Sequence, residues 1–167
     1  GVAHAQFPGD ECTDALWATD GPNMYTTISA SPSMPEPDDT QCPSSSLNWN
    51  SSADVWFRYT AKVSGTHSIT TCDIDSFDTS IALYEGNCNA QIACNGDAPV
   101  NSDCQQYYSQ IEFNLLEDIV YYIRIGGFNG ATGSGTLTIN PPAVSNSTVW
   151  YVDANNPDSG AGTDWAS

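Results

Sequence analysis

Apolar and polar residues alternate along most of the chain in short runs, and turn-forming residues separate these runs. A period of two is typical of strands that bury one face, whereas the 3.6-residue period of an amphipathic helix is almost absent. The runs that follow this pattern cover residues 54–60, 68–72, 80–84, 91–94, 110–115, 120–125 and 135–139. Turn signals recur about every ten residues, which favours an antiparallel sandwich of two sheets.

The first fifty residues lack this alternation. Prolines interrupt them at Pro22, Pro32, Pro35, Pro37 and Pro43. Because proline cannot donate a hydrogen bond to a sheet, we expect irregular chain that wraps the sandwich. The predicted fold class is therefore all-β: a two-sheet antiparallel β-sandwich, stapled by disulfides, with an irregular N-terminal wrap.

The start of the chain carries a possible processing signal. Ala3-His4-Ala5 matches the small-residue pattern that precedes signal-peptide cleavage. We therefore interpret residues 1–9 as a signal-peptide remnant or a tail, with a mature protein that begins at Gln6.

The sandwich is expected to occupy residues 10–142 and to end at Pro141-Pro142. Residues 143–167 are predicted to form a linker followed by one more strand at residues 147–153, or the start of a following domain. No run of 18 apolar residues occurs, so the sequence predicts no membrane span.

Six cysteines indicate an oxidising compartment. Their spacing excludes a zinc pattern, which needs closely spaced thiolates or histidines, and so predicts disulfides in a secreted or cell-surface protein. The cysteines are Cys12, Cys42, Cys72, Cys88, Cys94 and Cys104. Six cysteines can pair in 15 ways. We favour Cys12–Cys42, which would pin the wrap, and leave the other four open, although Cys94–Cys104 would close a candidate calcium loop.

Acidity points to calcium as the charged partner. Only Arg58, Lys62 and Arg124 are basic, against 20 Asp and Glu, and the formal net charge is −17. Such a chain repels nucleic acid, while carboxylate oxygens suit a hard cation. The candidate calcium ligands are Asp73, Asp75, Asp78, Asn95, Asp97 and Asp103. The alternative is that these residues serve their own turns, in which Asp and Asn are common.

A candidate ligand surface follows from strand parity. Trp56, Arg58, Tyr122 and Arg124 share the outward face of two predicted strands. Aromatic rings and arginines can hold a sugar ring by stacking and an acidic group by bidentate hydrogen bonds. The alternative is that both arginines pair with local carboxylates and that Trp56 lies under the wrap. Further stacking candidates in predicted loops are Trp17, Tyr25, Trp49 and Phe128.

The sequence offers little for catalysis, because no nucleophile, phosphate or zinc motif is present. We therefore expect a protein that is not an enzyme.

Several segments together resemble the bacterial pre-peptidase C-terminal-like (PPC-like) domains. They are D-E-C-T-D-A at 10–15, D-V-W-F-R-Y-T-A at 54–61, S-F-D-T at 76–79, A-C-N-G-D at 93–97 and Y-I-R-I-G-G at 122–127. The resemblance implies a jelly-roll-like β-sandwich that is secreted, non-catalytic and often calcium-binding. Gly96 stands where that family often has Asp. Residues 149–167 resemble the opening of a parallel β-helix domain.

We therefore expect a secreted calcium-binding module for adhesion or carbohydrate binding, with calcium in a structural role and polysaccharide as partner. The alternative is a subunit of an extracellular filament or surface layer, in which residues 147–153 add to the open sheet edge of a neighbouring copy. A third interpretation is an accessory module of a polysaccharide-degrading β-helix enzyme.

Overall fold

Two β-sheets form the fold of the residues that a computed structural model describes, 7–42, 45–73, 77–100 and 102–143. The strands in these ranges are β1 (Leu16–Trp17), β2 (Gly21–Thr26), β3 (Val55–Thr60), β4 (Gly65–Thr70), β5 (Thr79–Glu85), β6 (Gln91–Asn95), β7 (Gln110–Leu115), β8 (Val120–Gly127) and β9 (Ser134–Asn140). The described ranges also contain three short 3-10 turns, one before β1 at Cys12–Asp14 and two between strands at Asp39–Gln41 and Phe128–Gly130. In these described ranges no helix has the length and apolar character to cross a membrane.

One sheet has five strands in the order β1-β3-β8-β5-β6, and the other has four in the order β2-β9-β4-β7. All pairings are antiparallel except that of β1 with β3. The predicted all-β sandwich is confirmed. The sequence missed β1 and β2, because one is two residues long and the other contains Gly21 and Pro22.

The main core lies between the sheets. Alternate residues of β3 point into it, and Val55, Phe57 and Tyr59 are each at most 2% exposed. The other fully buried members of this cluster come from both sheets: Ala61, Ile69, Ile81, Leu83, Leu115, Tyr121, Ile123, Ile125, Leu137 and Ile139. Burying one such large apolar side chain stabilises a fold by about 1.5–3 kcal/mol, so this layer supplies the main driving force.

A second apolar cluster lies on the outer face of the five-stranded sheet. Irregular chain covers that face, and we call its described residues, 7–15, 27–42 and 45–53, the wrap. Its buried members join sheet residues in one cluster: Ala15, Cys42, Leu47, Trp49, Trp56, Ala82, Tyr84 and Cys94. A Cβ at Gly126 would lie 2.7 Å from the Trp49 ring, so the sheet needs glycine there to receive the tryptophan. The fold therefore has three layers, which are the wrap, the five-stranded sheet and the four-stranded sheet.

The disulfides fix these layers. Cys12–Cys88 and Cys42–Cys94 join the wrap to the turn after β5 and to β6, while Cys72–Cys104 joins the end of β4 to the β6–β7 loop. The expected pairs Cys12–Cys42 and Cys94–Cys104 are therefore wrong. The wrap lies across the sheet, so its cysteines meet partners in the layer beneath rather than each other.

Candidate ligand-binding face

The outer face of the five-stranded sheet brings the four sequence candidates together. In the β3–β8 register, Trp56 lies opposite Arg124 and Arg58 opposite Tyr122. Their exposure divides them into two pairs. Trp56 and Arg124 are 3% and 1% exposed because the wrap covers them, whereas Arg58 and Tyr122 are only half-buried.

Arg124 is bound internally. Its Nη2 lies 2.9 Å from Asp54 Oδ2, and Nη1 donates to the carbonyl oxygen of Pro35 at 2.7 Å. The guanidinium also lies between the rings of Trp49 and Trp56, 4.9 and 5.0 Å from their centroids. The alternative interpretation thus applies to this residue: it pairs with a local carboxylate and anchors the wrap.

Trp56 is held in the same way, since its indole Nε1 donates to Ser33 Oγ at 2.9 Å. Its ring contacts Tyr84, with centroids 5.1 Å apart. Burial raises the pKa of Tyr84 above its ordinary value, so this phenol stays protonated at neutral pH.

Arg58 has a different environment. Its guanidinium carbon lies 3.5 Å from the ring centroid of Trp17, a close cation–π contact. Within the described chain, Lys62 pairs with Asp20 and Arg124 with Asp54, but Arg58 has no ion pair and its Nε has no hydrogen-bond partner. Arg58 is therefore the basic group that the described carboxylates leave unneutralised.

Trp17, Arg58 and Tyr122 form a line across the sheet, which we call the aromatic row. Trp17 pairs with Arg58 in the β1–β3 register, and Arg58 pairs with Tyr122. Adjacent strands lie about 4.8 Å apart, so the row spans roughly 10 Å. The Trp17 side chain is strongly exposed, at 66%. A planar ring, a fixed guanidinium and a phenol thus face solvent beside the wrap.

Of the other aromatic stacking candidates, Tyr25 and Trp49 are buried, so the prediction that they could stack against a sugar is wrong. Tyr25 lies in β2, and Trp49 packs in the wrap. Phe128 is 39% exposed but lies in the turn after β8, beyond the end of the row.

A cavity of about 330 Å³ opens where the row meets the wrap. Its floor is formed by Trp56, Tyr84 and Arg124. Polar residues of the wrap and of the β5–β6 turn form its mouth: Glu11, Glu36, Asp38, Gln41, Asn89 and Gln91.

Two of the calcium candidates, Asp78 and Asp97, lie near enough for the charge of one to act on the other. Burial first and the charge of Asp97 second raise the pKa of Asp78. No third His, Cys, Asp or Glu joins them within the described residues to form a metal site, and Asp75 lies outside those residues.

The other calcium candidates are engaged or lie elsewhere. The amide of Asn95 donates to the carbonyl of Asp97 and accepts from the backbone N–H of Gln110, both at 2.9 Å. A Cβ at Gly96 would lie 2.4 Å from the Ser46 carbonyl oxygen, so no Asp fits there. Asp73 is half-buried.

The remaining candidate, Asp103, lines an open groove of about 670 Å³ on the outer face of the four-stranded sheet, beside Thr70, Gln110, Glu112 and Asn140. That groove has hydroxyl and amide groups but no aromatic lining residue, so it offers no ring for stacking.

No family model matches the chain, and no curated protein matches it.

Proposed function

We propose that the protein is a secreted, non-catalytic carbohydrate-binding module and that the aromatic row is its binding surface. The observation that carries this proposal is the stacked Trp17–Arg58 pair, which is open to solvent beside Tyr122. Aromatic rings bind the apolar faces of sugar rings, while a guanidinium donates hydrogen bonds to sugar hydroxyls.

The row is suited to binding because it is already ordered. Stacking on Trp17 restrains the Arg58 side chain, so less conformational entropy is lost when it engages a ligand. The Arg58 Nε is buried, but within the described chain no ion pair engages Arg58, so its terminal guanidinium nitrogens are left as donors for that ligand.

Charge limits the ligand class. With a net charge of −17, the protein repels nucleic acids and polyanionic polysaccharides. A neutral or positively charged polysaccharide meets no such barrier. Three disulfides favour an extracellular setting, where such polymers occur.

Calcium enters the proposal as a structural ion. Asp78 and Asp97 supply two hard oxygen ligands. Burial raises the pKa of Asp78 most and repulsion from Asp97 adds to it, and a cation between the two carboxylates would relieve that repulsion. Backbone carbonyls and water would complete its coordination. The ion would then stabilise the loop end of the sandwich, away from the aromatic row.

The filament alternative depends on residues 147–153, which lie outside the described residues, as do residues 1–6 of the proposed signal remnant. No described contact favours it over the binding module.

Affinity electrophoresis in gels that contain neutral polysaccharides tests the proposal. Trp17→Ala should abolish retardation, because it removes the exposed ring and frees Arg58. Phe128→Ala removes another partly exposed aromatic ring away from the row and should leave retardation unchanged. Equal retardation of the wild-type protein and Trp17→Ala would refute the row as a binding surface, provided that both unfold at the same temperature.

A further inference from the structure

The cavity at the end of the aromatic row combines an aromatic floor with an acidic mouth. The one positive charge in its lining, Arg124, is already compensated by Asp54 at 2.9 Å. Three carboxylates in the lining, those of Glu11, Glu36 and Asp38, have no such compensation within the described chain.

Several polar groups at the mouth are free to bind a ligand. Glu36 uses Oε1 to accept from Ser51, and Asp38 uses Oδ1 to accept from Thr40, which leaves the second oxygen of each available. No side-chain hydrogen bond within the described residues engages Glu11, which is exposed.

Gln41 and Asn89 add uncharged hydrogen-bonding groups at the mouth. Both side chains are exposed, and neither makes a hydrogen bond with the described part of the chain. Amides both donate and accept, so they suit the hydroxyl groups of a sugar.

These carboxylates do not converge tightly enough for a metal. Among the described residues no three His, Cys, Asp or Glu side chains are placed to hold one ion. A larger organic cation that carries several donors fits this spacing better than a single atom, because each carboxylate can then accept from a different group.

The cavity also continues the aromatic row. Tyr84 of its floor lies opposite Tyr122 in the β5–β8 register, and Trp56 lies two residues before Arg58 on β3. A saccharide that stacks on Trp17 and Tyr122 therefore points one of its residues towards the cavity.

We propose that this cavity binds the protonated amino group of an amino sugar, so that the module selects polysaccharides with free amines. The inference rests on the proposed function. An ammonium group forms short, charge-assisted hydrogen bonds with carboxylates, and the negative field of the whole protein raises its local concentration. Acetylation removes the charge of the amine and adds bulk. Replacement of the amine by a hydroxyl removes the charge without adding bulk.

Three β-1,4-linked tetrasaccharides that differ at one position test the inference: those of glucosamine, N-acetylglucosamine and glucose. Isothermal titration calorimetry at low salt should show the tightest binding for the glucosamine oligomer. Glu11→Gln should weaken that binding about tenfold or more, because hydrogen bonds to charged groups contribute more than neutral ones. The same variant should change the affinity for the two neutral oligomers by no more than about twofold.

Glu117→Gln is the matched control, since it removes the same charge from an exposed turn before β8. If both glutamine variants weaken glucosamine binding equally, the attraction is non-specific and the inference is overturned. Equal affinity for all three oligomers, with binding still lost in Trp17→Ala, would also overturn it while the proposed function stands. Binding of all three that survives Trp17→Ala would refute the row, and binding of none would overturn both proposals.

Discussion

Arg124 lies 2.9 Å from Asp54, and the side chains of both residues are withdrawn from solvent. Asp54 also accepts hydrogen bonds from the backbone N–H and the hydroxyl of Ser33, at 3.0 and 2.7 Å. One carboxylate thus joins the middle of β8 to the wrap. The pair forms a buried polar centre between the wrap and the sheet.

Removing one partner of this pair should be costly. Arg124→Leu leaves the charge of Asp54 buried and unpaired, which typically costs about 3–5 kcal/mol of unfolding free energy. Urea unfolding followed by tryptophan fluorescence measures the loss. Adding Asp54→Asn to that variant should recover part of the stability, because no charge then remains buried. A loss below about 1 kcal/mol in the single variant would contradict this account.

The fit of Trp49 over Gly126 gives a second prediction. Gly126→Ala places a methyl group 2.7 Å from the Trp49 ring, and overpacking of this kind costs about 1–3 kcal/mol. Trp49→Phe offers a smaller ring, so the double variant should lose less than the sum of the two single losses. Strict additivity in the same urea measurement would show that the two residues do not compete for space.

Tyr59 and Asp20 give a pH-dependent prediction. The Tyr59 hydroxyl donates to Asp20 Oδ1 at 2.7 Å and, with help from Lys62, holds the pKa of Asp20 below its ordinary value of 3.8. A carboxyl group whose pKa is lower in the folded state stabilises the fold at pH values above its pKa in the unfolded state. That stabilisation is lost as the pH falls through the pKa of the folded state.

Tyr59→Phe should therefore raise the pKa of Asp20 towards 3.8, as measured by NMR titration of its carboxyl carbon. The stability difference from the wild-type protein should narrow as the solution is acidified. Tyr107→Phe, at an exposed tyrosine, should leave the Asp20 titration unchanged. An unaltered Asp20 pKa in Tyr59→Phe would refute the role of the hydrogen bond.

Asp78 should behave in the opposite sense. Its pKa is raised by burial and by Asp97, so its effect on stability is most favourable below pH 3.8 and is lost as the pH rises through the folded pKa. Without calcium, Asp78→Asn should therefore raise the melting temperature at pH 7 and leave it unchanged at pH 3.

If calcium binds as proposed, it should offset the gain in melting temperature that Asp78→Asn shows without calcium. Millimolar calcium should then raise the melting temperature of the wild-type protein more than that of Asp78→Asn, by mass action. Asp103→Asn changes the net charge equally and serves as the control. A wild-type melting temperature that calcium and chelator leave unaltered would remove the ion from the proposal.

Local alternation predicted the strands that have one buried face. The strand at residues 110–115 matches β7 to the residue, because its apolar and polar positions alternate without interruption. The same alternation predicts a strand at residues 80–84, within β5, although β5 is buried on both faces along most of its length.

The sequence pattern does not show which distant segments pack against each other. Parity correctly placed Trp56 and Arg124 on the outer face, but only the path of the wrap decides that they are covered. The cavity combines Glu11, Gln41 and Asn89, which lie far apart in the chain and meet because disulfides bring their segments together. No local pattern signals such a site.

The Cys12–Cys88 bond also has a mechanical consequence. The two residues are 76 positions apart, and strands β1 to β5 all lie between them. Tension applied along the chain from the N-terminal side passes through the bond to Cys88, so the backbone between the two cysteines is not extended while the bond is intact. The bond removes roughly 250 Å of possible chain extension. Trp17 and Arg58 lie within the bridged segment, whereas Tyr122 lies beyond it, so the bond protects the Trp17–Arg58 pair when the chain is stretched.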